Sequence, residues 1–282
     1  MLNVKDLQSS GRFTIYRRLR SGGSWEVYEA HDRERNGLVA LKVIPFISDS
    51  HVARLHQQVR ALAQISHPNI MSLYDIGCKN RLCFITSELI EGVTIIDYVR
   101  PASRSGEGRS MLNEDRLRSV LRQLGSAIQA LHEKGLVHCD LKPSIVLVTS
   151  EARLVLVDFD MLKHISDRPP EQITLPEGTP IYMSPEQVVP RSATSASDWY
   201  SVGVMLYEAL TGKLPFSGKI FELMANKVNL DPPQPIEVAG GIPEDLNDLC
   251  MQLLQRDPRK RANGSEVLDL LERSRTTWQH SS

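Results

Sequence analysis

Leu136 to Leu147 reads L-V-H-C-D-L-K-P-S-I-V-L. It follows an amphipathic run that ends near Lys134. It precedes a short apolar run, Leu154 to Val157, which leads into Asp158-Phe159-Asp160. A carboxylate such as Asp140 in this setting is either a turn residue bonding its own backbone or a group placed for chemistry. The flanking chain decides between these.

Towards the N-terminus, Phe13 to Leu19, Trp25 to Ala30 and Leu38 to Ile44 are short runs rich in β-branched and aromatic residues. Ser21-Gly22-Gly23 and Arg35-Asn36-Gly37 separate them, which predicts an antiparallel meander. Val52 to Ile65 carries Val52, Leu55, Val59 and Leu62 at helical spacing and stops before His67-Pro68. Leu73 to Cys78 and Leu82 to Leu89 predict two more strands joined at Lys79-Asn80. The expected N-terminal unit is thus a five-stranded sheet with one helix. After Glu91-Gly92 the chain changes character. Pro101 to Ser110 is rich in Ser, Gly and Arg and is expected to be a flexible surface insertion. Helices are predicted over Asn113 to Lys134, with Asn113 as N-cap, then Trp199 to Leu210, Phe221 to Val228, Glu244 to Gln255 and Ser265 to Arg273. Asp158 to Glu186, with Pro169, Pro170 and Pro176, is expected to be mostly loop.

The 282 residues are 41% hydrophobic and 24% charged, enough for one large domain or two lobes. A formal charge of -1 gives no global attraction to nucleic acid or an anionic membrane, so neither is an expected partner. Cys78, Cys83, Cys139 and Cys250 form no C-x-x-C pair or metal-ligand spacing, which favours reduced cysteines and a cytoplasmic location over a disulfide framework. No apolar signal core or bilayer-length run occurs.

The opening stretch resembles the catalytic loop of protein kinases, H-R-D-L-K-P-x-N-I-L, and Asp158 to Asp160 resembles their metal-binding D-F-G. Val39-Ala40-Leu41-Lys42 resembles V-A-I-K. Gly178 to Glu186 resembles the end of an activation segment, with Ser184 where A-P-E has Ala. Asp198 to Gly203 resembles the start of the helix that anchors the catalytic loop, and Arg256 to Arg261 the region whose last arginine pairs with the A-P-E glutamate, here Glu186. The H-P-N-I, G-T-P-x-Y-M-S-P-E-Q and L-T-G-x-L-P-F wording is similar to bacterial-type Ser/Thr kinases. The order of elements matches over nearly the whole chain.

The resemblance implies an α+β, two-lobed fold. Its expected divisions are an N-terminal tail (1–11), an N-lobe (12–87), a hinge (88–92), a C-lobe (93–275) and a C-terminal tail (276–282). Asp140 would orient the attacking hydroxyl, with Lys142 and Thr179 beside it. Lys42 would hold ATP phosphates, Gly22 and Gly23 would shape the loop over them, and Val27, Ala40 and Leu147 would line adenine, with Glu88 and Ile90 offering backbone. Leu62, Leu73, His138 and Phe159 fall where such kinases stack one internal column. Val27, Ala40, Leu147, Ile95 and Met205 fall where a second is completed by adenine. Ser87 would leave room at the back of that pocket.

Other positions depart from the pattern, and four of them, Trp25, Gln58, Ile145 and Asp160, bear on transfer. Trp25 stands at a glycine position, leaving either a plain β-turn or a phosphate clamp. Gln58, nine residues before His67, replaces the glutamate that pairs with Lys42. Cys139, expected to be a small buried filler, replaces an arginine that gathers an activation-loop phosphate. Ile145 replaces the Mg²⁺-binding Asn and offers no ligand. Asp160 replaces Gly, which reads either as compensation, a carboxylate joining Asp158 at the metal, or as decay, the loss of glycine's backbone freedom. Decay is preferred. The expectation is a pseudokinase or strongly attenuated kinase that binds nucleotide and a protein substrate or regulatory partner, with doubtful Mg²⁺ use. The alternative is an active ATP-dependent Ser/Thr kinase rescued by Asp160. A small-molecule phosphotransferase is disfavoured by the protein-substrate platform at Gly178 to Glu186.

Overall fold

The computed structural model describes residues 11–22, 25–79, 81–102, 111–164, 179–188 and 193–278. The chain forms two compact units, Met1–Glu91 and Gly92–Ser282. Gly23, Gly178 and most of the Pro101 to Ser110 stretch lie outside the described residues.

The N-terminal unit holds strands β1 (Phe13–Ser21), β2 (Glu26–Asp32), β3 (Gly37–Pro45), β4 (Leu73–Lys79) and β5 (Leu82–Ser87), with helix α1 (Asp49–Leu62) between β3 and β4. The sheet order is β1-β2-β3-β5-β4, antiparallel throughout. Asn36, at φ 52°, takes the left-handed corner of the turn before Gly37. Alternation along β3 sorts the side chains. Val39, Leu41 and Val43 join Phe13, Ala30 and Leu82 in one buried cluster. On the other face, Ile44, Cys83 and Ile85 pack with Leu55 of α1, and Trp25, Val52 and Val59 close around them. Helix α1 begins three residues before the apolar periodicity shows, because the Ser48 hydroxyl caps it by accepting from the His51 N–H at 3.2 Å.

One expectation is overturned here. Cys78 and Cys83 are disulfide-bonded. They are directly opposed across the β4–β5 hairpin, with Cα atoms 4.0 Å apart. The pairing comes from strand register, which a search for C-x-x-C spacing does not test. Cys139 and Cys250 are buried and not disulfide-bonded.

The C-terminal unit begins with β6 (Val93–Thr94), α2 (Ile95–Val99) and α3 (Glu114–Glu133). Asn113 caps α3, its side-chain oxygen accepting from the Arg116 N–H at 3.0 Å. Leu117, Leu121, Leu124, Ile128 and Leu131 give α3 its buried stripe. Then follow β7 (Leu136–Val137), a 3₁₀ turn (Pro143–Ile145), β8 (Val146–Val148), β9 (Leu154–Leu156) and β10 (Lys163–His164). These form two small sheets, β6-β8-β9 and β10-β7. The remaining helices are α4 (Pro185–Val188), α5 (Ser195–Thr211), α6 (Ile220–Asn229), α7 (Pro235–Val238), α8 (Glu244–Leu253) and α9 (Gly264–Trp278). Helix α5 is buried almost all round, starts four residues earlier than its apolar run, and stops at Gly212, whose φ of 71° ends the helix. Among the described residues no helix is long and apolar enough to cross a membrane.

Candidate active site

The loop after β7 is suspended from Asp198, 1% exposed near the start of α5. Its Oδ2 accepts from the His138 N–H at 2.8 Å and its Oδ1 from the Cys139 N–H at 2.9 Å. The His132 ring nitrogen Nε2 lies 2.9 Å from the same Oδ2. Cys139 sits at φ 70°, a left-handed conformation that non-glycine residues rarely adopt. Both its peptide groups are fixed, since the Gln187 side chain donates to the Cys139 carbonyl at 2.9 Å. The bends that Asp198 and Gln187 impose hold this backbone in place. Cys139 itself is a buried filler, 5% exposed.

The next residue out is Asp140, and the expected trio is assembled. Asp140 forms an ion pair with Lys142 through Oδ2. Its Oδ1 accepts from the Thr179 N–H at 2.8 Å, and the Lys142 ammonium donates to the Thr179 hydroxyl at 3.0 Å. A carboxylate has about four lone-pair sites, so Asp140 keeps acceptor capacity beyond these two contacts.

Ile145, in contrast, is 4% exposed. Its backbone still ties the loop, accepting from the Val157 N–H at 3.0 Å and donating to the Lys142 carbonyl at 3.2 Å. The scaffold of the loop is kept while its side chain is hydrocarbon. His138 Nε2 lies 2.6 Å from the Asp158 carbonyl, and its ring stands 5.2 Å from that of Phe159. The Asp160 N–H donates to the Asp158 Oδ1 at 3.3 Å. Asp160 is not among the residues at positive φ, so this turn does not use the freedom a glycine would bring. Among the described residues no three or more His, Cys, Asp or Glu side chains form a metal-holding group. Of these positions, Asp158 and Asp160 carry carboxylate oxygens of the kind Mg²⁺ accepts and Ile145 carries none.

In the N-terminal unit, Lys42 on β3 faces Val27 on β2 and Ile85 on β5 in register, and Ala40 faces Ser87. The Lys42 ammonium lies 4.6 Å from the centroid of the Trp25 ring. The same indole occupies the space beside Gly22, where an added Cβ would come within 2.4 Å of it. Only glycine fits at 22, because Trp25 has taken the room. Gln58 is half-buried on α1. The Glu88 N–H donates to the Ser72 carbonyl at 2.8 Å, and Ile90 is half-buried. In the C-terminal unit Leu147, Ile95 and Met205 are buried.

The segment after Thr179 is anchored more heavily than its motif suggests. Glu186 pairs with Arg261 and accepts from the Ser197 hydroxyl at 2.9 Å. Burial pushes the Glu186 carboxyl up, but the Arg261 bonds and charge outweigh it and hold the pKa below the usual range. Lys227 on α6, 1% exposed, donates to the carbonyls of Ile181 and Met183. Burial lowers its pKa to about 7. Gln187, Lys227 and His132 were not singled out from sequence. Gln187 carried a signal in the P-E-Q wording, whereas Lys227 looks like any helix-surface lysine.

Residues 13–270 match the family model described as protein kinase domain. The chain belongs to the protein kinase family. Its domain is a Ser/Thr protein kinase domain of bacterial type, and the two-unit α+β architecture is that of the family. It is 32% identical over 260 residues to serine/threonine-protein kinase PknA of Mycobacterium tuberculosis, covering 89% of this chain and 58% of that protein. It is 28% identical over 264 residues to serine/threonine-protein kinase PrkC of Bacillus subtilis, covering 92% of this chain and 40% of that protein. A probable serine/threonine-protein kinase PknB of Lactococcus lactis is 31% identical over 262 residues, covering 91% and 41% respectively. The chain thus spans about two fifths to three fifths of the length of these relatives.

Proposed function

We propose that this kinase domain is a regulatory module that binds nucleotide and protein, with phosphotransfer strongly attenuated or lost. The observation that carries the reading is the buried Ile145 side chain, which puts hydrocarbon where the loop needs an oxygen ligand. Trp25 supports it from the other unit, lying beside Gly22 and against the Lys42 ammonium, where phosphates would be held. In this reading Val27, Ala40, Lys42, Glu88, Ile90 and Leu147 bind an adenine nucleotide, ATP by family, with little help from Mg²⁺. Residues 179 to 186 face a protein partner in this reading.

A second reading is supported by the mutual contacts of Asp140, Lys142 and Thr179. In it Asp160 supplies the missing metal ligand and the domain is an active Ser/Thr kinase. Autophosphorylation with labelled ATP, together with nucleotide binding with and without Mg²⁺, separates the two. Incorporated label and a large Mg²⁺-dependent affinity for ATP would overturn the first reading.

A further inference from the structure

The Cys78–Cys83 bond joins two sulfurs in very different surroundings. Cys78 is exposed on β4, the edge strand of the sheet, whereas Cys83 on β5 is 0% exposed. Ile44, Cys83 and Cys78 lie directly opposed across β3, β5 and β4, so all three fall on the face that packs against α1. Cys83 belongs to the cluster of Ile44, Leu55 and Ile85, and Leu55 comes from α1 itself. An incoming thiolate therefore meets the Cys78 sulfur at the sheet edge, while apolar side chains screen Cys83. Lys79 and Arg81, both exposed and close to Cys78 in the same hairpin, favour an anionic attacker there.

The loop that the bond closes is also tied to the start of α1. Arg81 sits inside it at φ 63°, a left-handed turn position, and its carbonyl accepts from the Phe46 N–H at 2.8 Å. Phe46 packs against the same cluster and lies two residues before Ser48, the N-cap of α1. Two routes thus run from the disulfide to this helix. One is Cys83 against Leu55, and the other passes from Arg81 through Phe46 to the cap. The same helix carries Gln58.

We propose that Cys78 is a thiol–disulfide exchange site, and that opening its bond loosens the hold of the sheet on α1. The co-substrate class is a dithiol reductant. One of its thiolates forms a bond to Cys78 Sγ. The Cys78–Cys83 bond breaks, and its electron pair leaves on Cys83 Sγ, which takes up a proton. The second thiolate of the reductant attacks the reductant's own sulfur in the mixed disulfide. A new disulfide closes, and Cys78 departs as a thiolate that is protonated in turn. The dithiol is oxidised by two electrons and the hairpin is reduced to two thiols. An oxidised dithiol runs the sequence backwards and re-forms the bond. The inference stands apart from nucleotide binding and phosphotransfer.

The first measurement treats the full oxidised chain with glutathione, followed by acid quenching, alkylation in denaturant and peptide mass mapping. Glutathione should be found on Cys78 and the alkyl group on Cys83. The reverse assignment, an even split, or a bond that neither glutathione nor dithiothreitol opens in the folded chain would overturn the exchange site. The second measurement is amide hydrogen exchange before reduction by dithiothreitol, after it, and again after reoxidation with the cyclic disulfide form of that reagent. Exchange of the α1 amides should quicken at least about tenfold on reduction, more than that of β1 and β2, and return on reoxidation. Cys78→Ser should show the fast α1 exchange with or without dithiothreitol, which places the effect on this bond. If α1, β1 and β2 quicken equally, the bond is a staple for the whole unit and the coupling to α1 falls. Unchanged α1 exchange on full reduction would overturn that coupling as well.

Discussion

Arg261 grips both oxygens of Glu186, with Nη1 2.7 Å from Oε1 and Nη2 3.1 Å from Oε2. The arginine side chain is 0% exposed and the glutamate 5%, so the pair lies in a low-dielectric setting across 75 positions of sequence. Breaking one side leaves a buried charge unmatched. Glu186→Gln should lower unfolding free energy by roughly 3–5 kcal/mol, read by urea denaturation at neutral pH. The pH dependence has a definite sign. The folded carboxyl titrates below its ordinary 4.5, so its contribution is present above about 4.5 and is lost as pH falls through the lower folded value. Glu186→Gln should flatten that acid limb. An unchanged limb would show that other carboxylates govern it.

The Cys78–Cys83 bond closes a hairpin of sequence separation 5 and packs Cys83 beside Ile44, Leu55 and Ile85. A loop this short carries about 2 kcal/mol of closure entropy. Reduction, or Cys78→Ser, should therefore lower the stability of the N-terminal unit by about that amount, measured by hydrogen exchange of the β5 amides. A thiol count of four in the natively purified protein would contradict the bond.

Much of this was legible in the sequence, for definable reasons. Strand alternation around Val39, Leu41 and Val43 and the helical stripe from Leu117 to Leu131 are local patterns, and the fold follows from their order. The Asp140, Lys142 and Thr179 contacts were also anticipated, because the family motifs fix their spacing. The disulfide was missed because Cys78 and Cys83 meet only through strand register. The Ser48 cap was missed because a cap precedes the periodicity that marks a helix. Lys227 was missed because burial of a helix face depends on what packs over it, here the 181–183 segment from 46 positions away. Sequence shows only that Trp25 stands at a glycine position. That its indole reaches both Gly22 and Lys42 required coordinates.

Trp25 yields the third prediction. A cation–π contact of this kind is worth about 0.5–2 kcal/mol, and displacing it must weaken whatever draws Lys42 away. Trp25→Gly should increase the thermal shift produced by ATP, corresponding to an affinity gain of about 2- to 30-fold. Quenching of Trp25 fluorescence by ATP in the unaltered chain would follow the same displacement. No change in ATP affinity on Trp25→Gly would show that the indole does not compete with phosphates.

The last prediction separates compensation from decay at Asp160. The turn holds the Asp160 N–H on the Asp158 carboxylate at 3.3 Å and needs no positive φ. Asp160→Gly therefore removes a carboxylate without relieving backbone strain, so the substitution tests the charge itself. If Asp160 replaces the missing ligand, the unaltered chain phosphorylates a generic protein substrate and Asp160→Gly lowers that rate by at least tenfold, about 1.4 kcal/mol of barrier. If decay holds, the unaltered chain is silent. The combination of Asp160→Gly, Ile145→Asn and Gln58→Glu should then restore measurable transfer, because it returns an oxygen ligand from 145 and a charged partner for Lys42. The measurement is labelled-phosphate transfer by the three proteins at equal folded concentration, with circular dichroism confirming that Ile145→Asn has not unfolded the loop's buried core. A silent triple variant that folds would place the defect elsewhere, with Trp25 as the next position to change. Robust activity in the unaltered chain, lost in Asp160→Gly, would reverse the preference for decay.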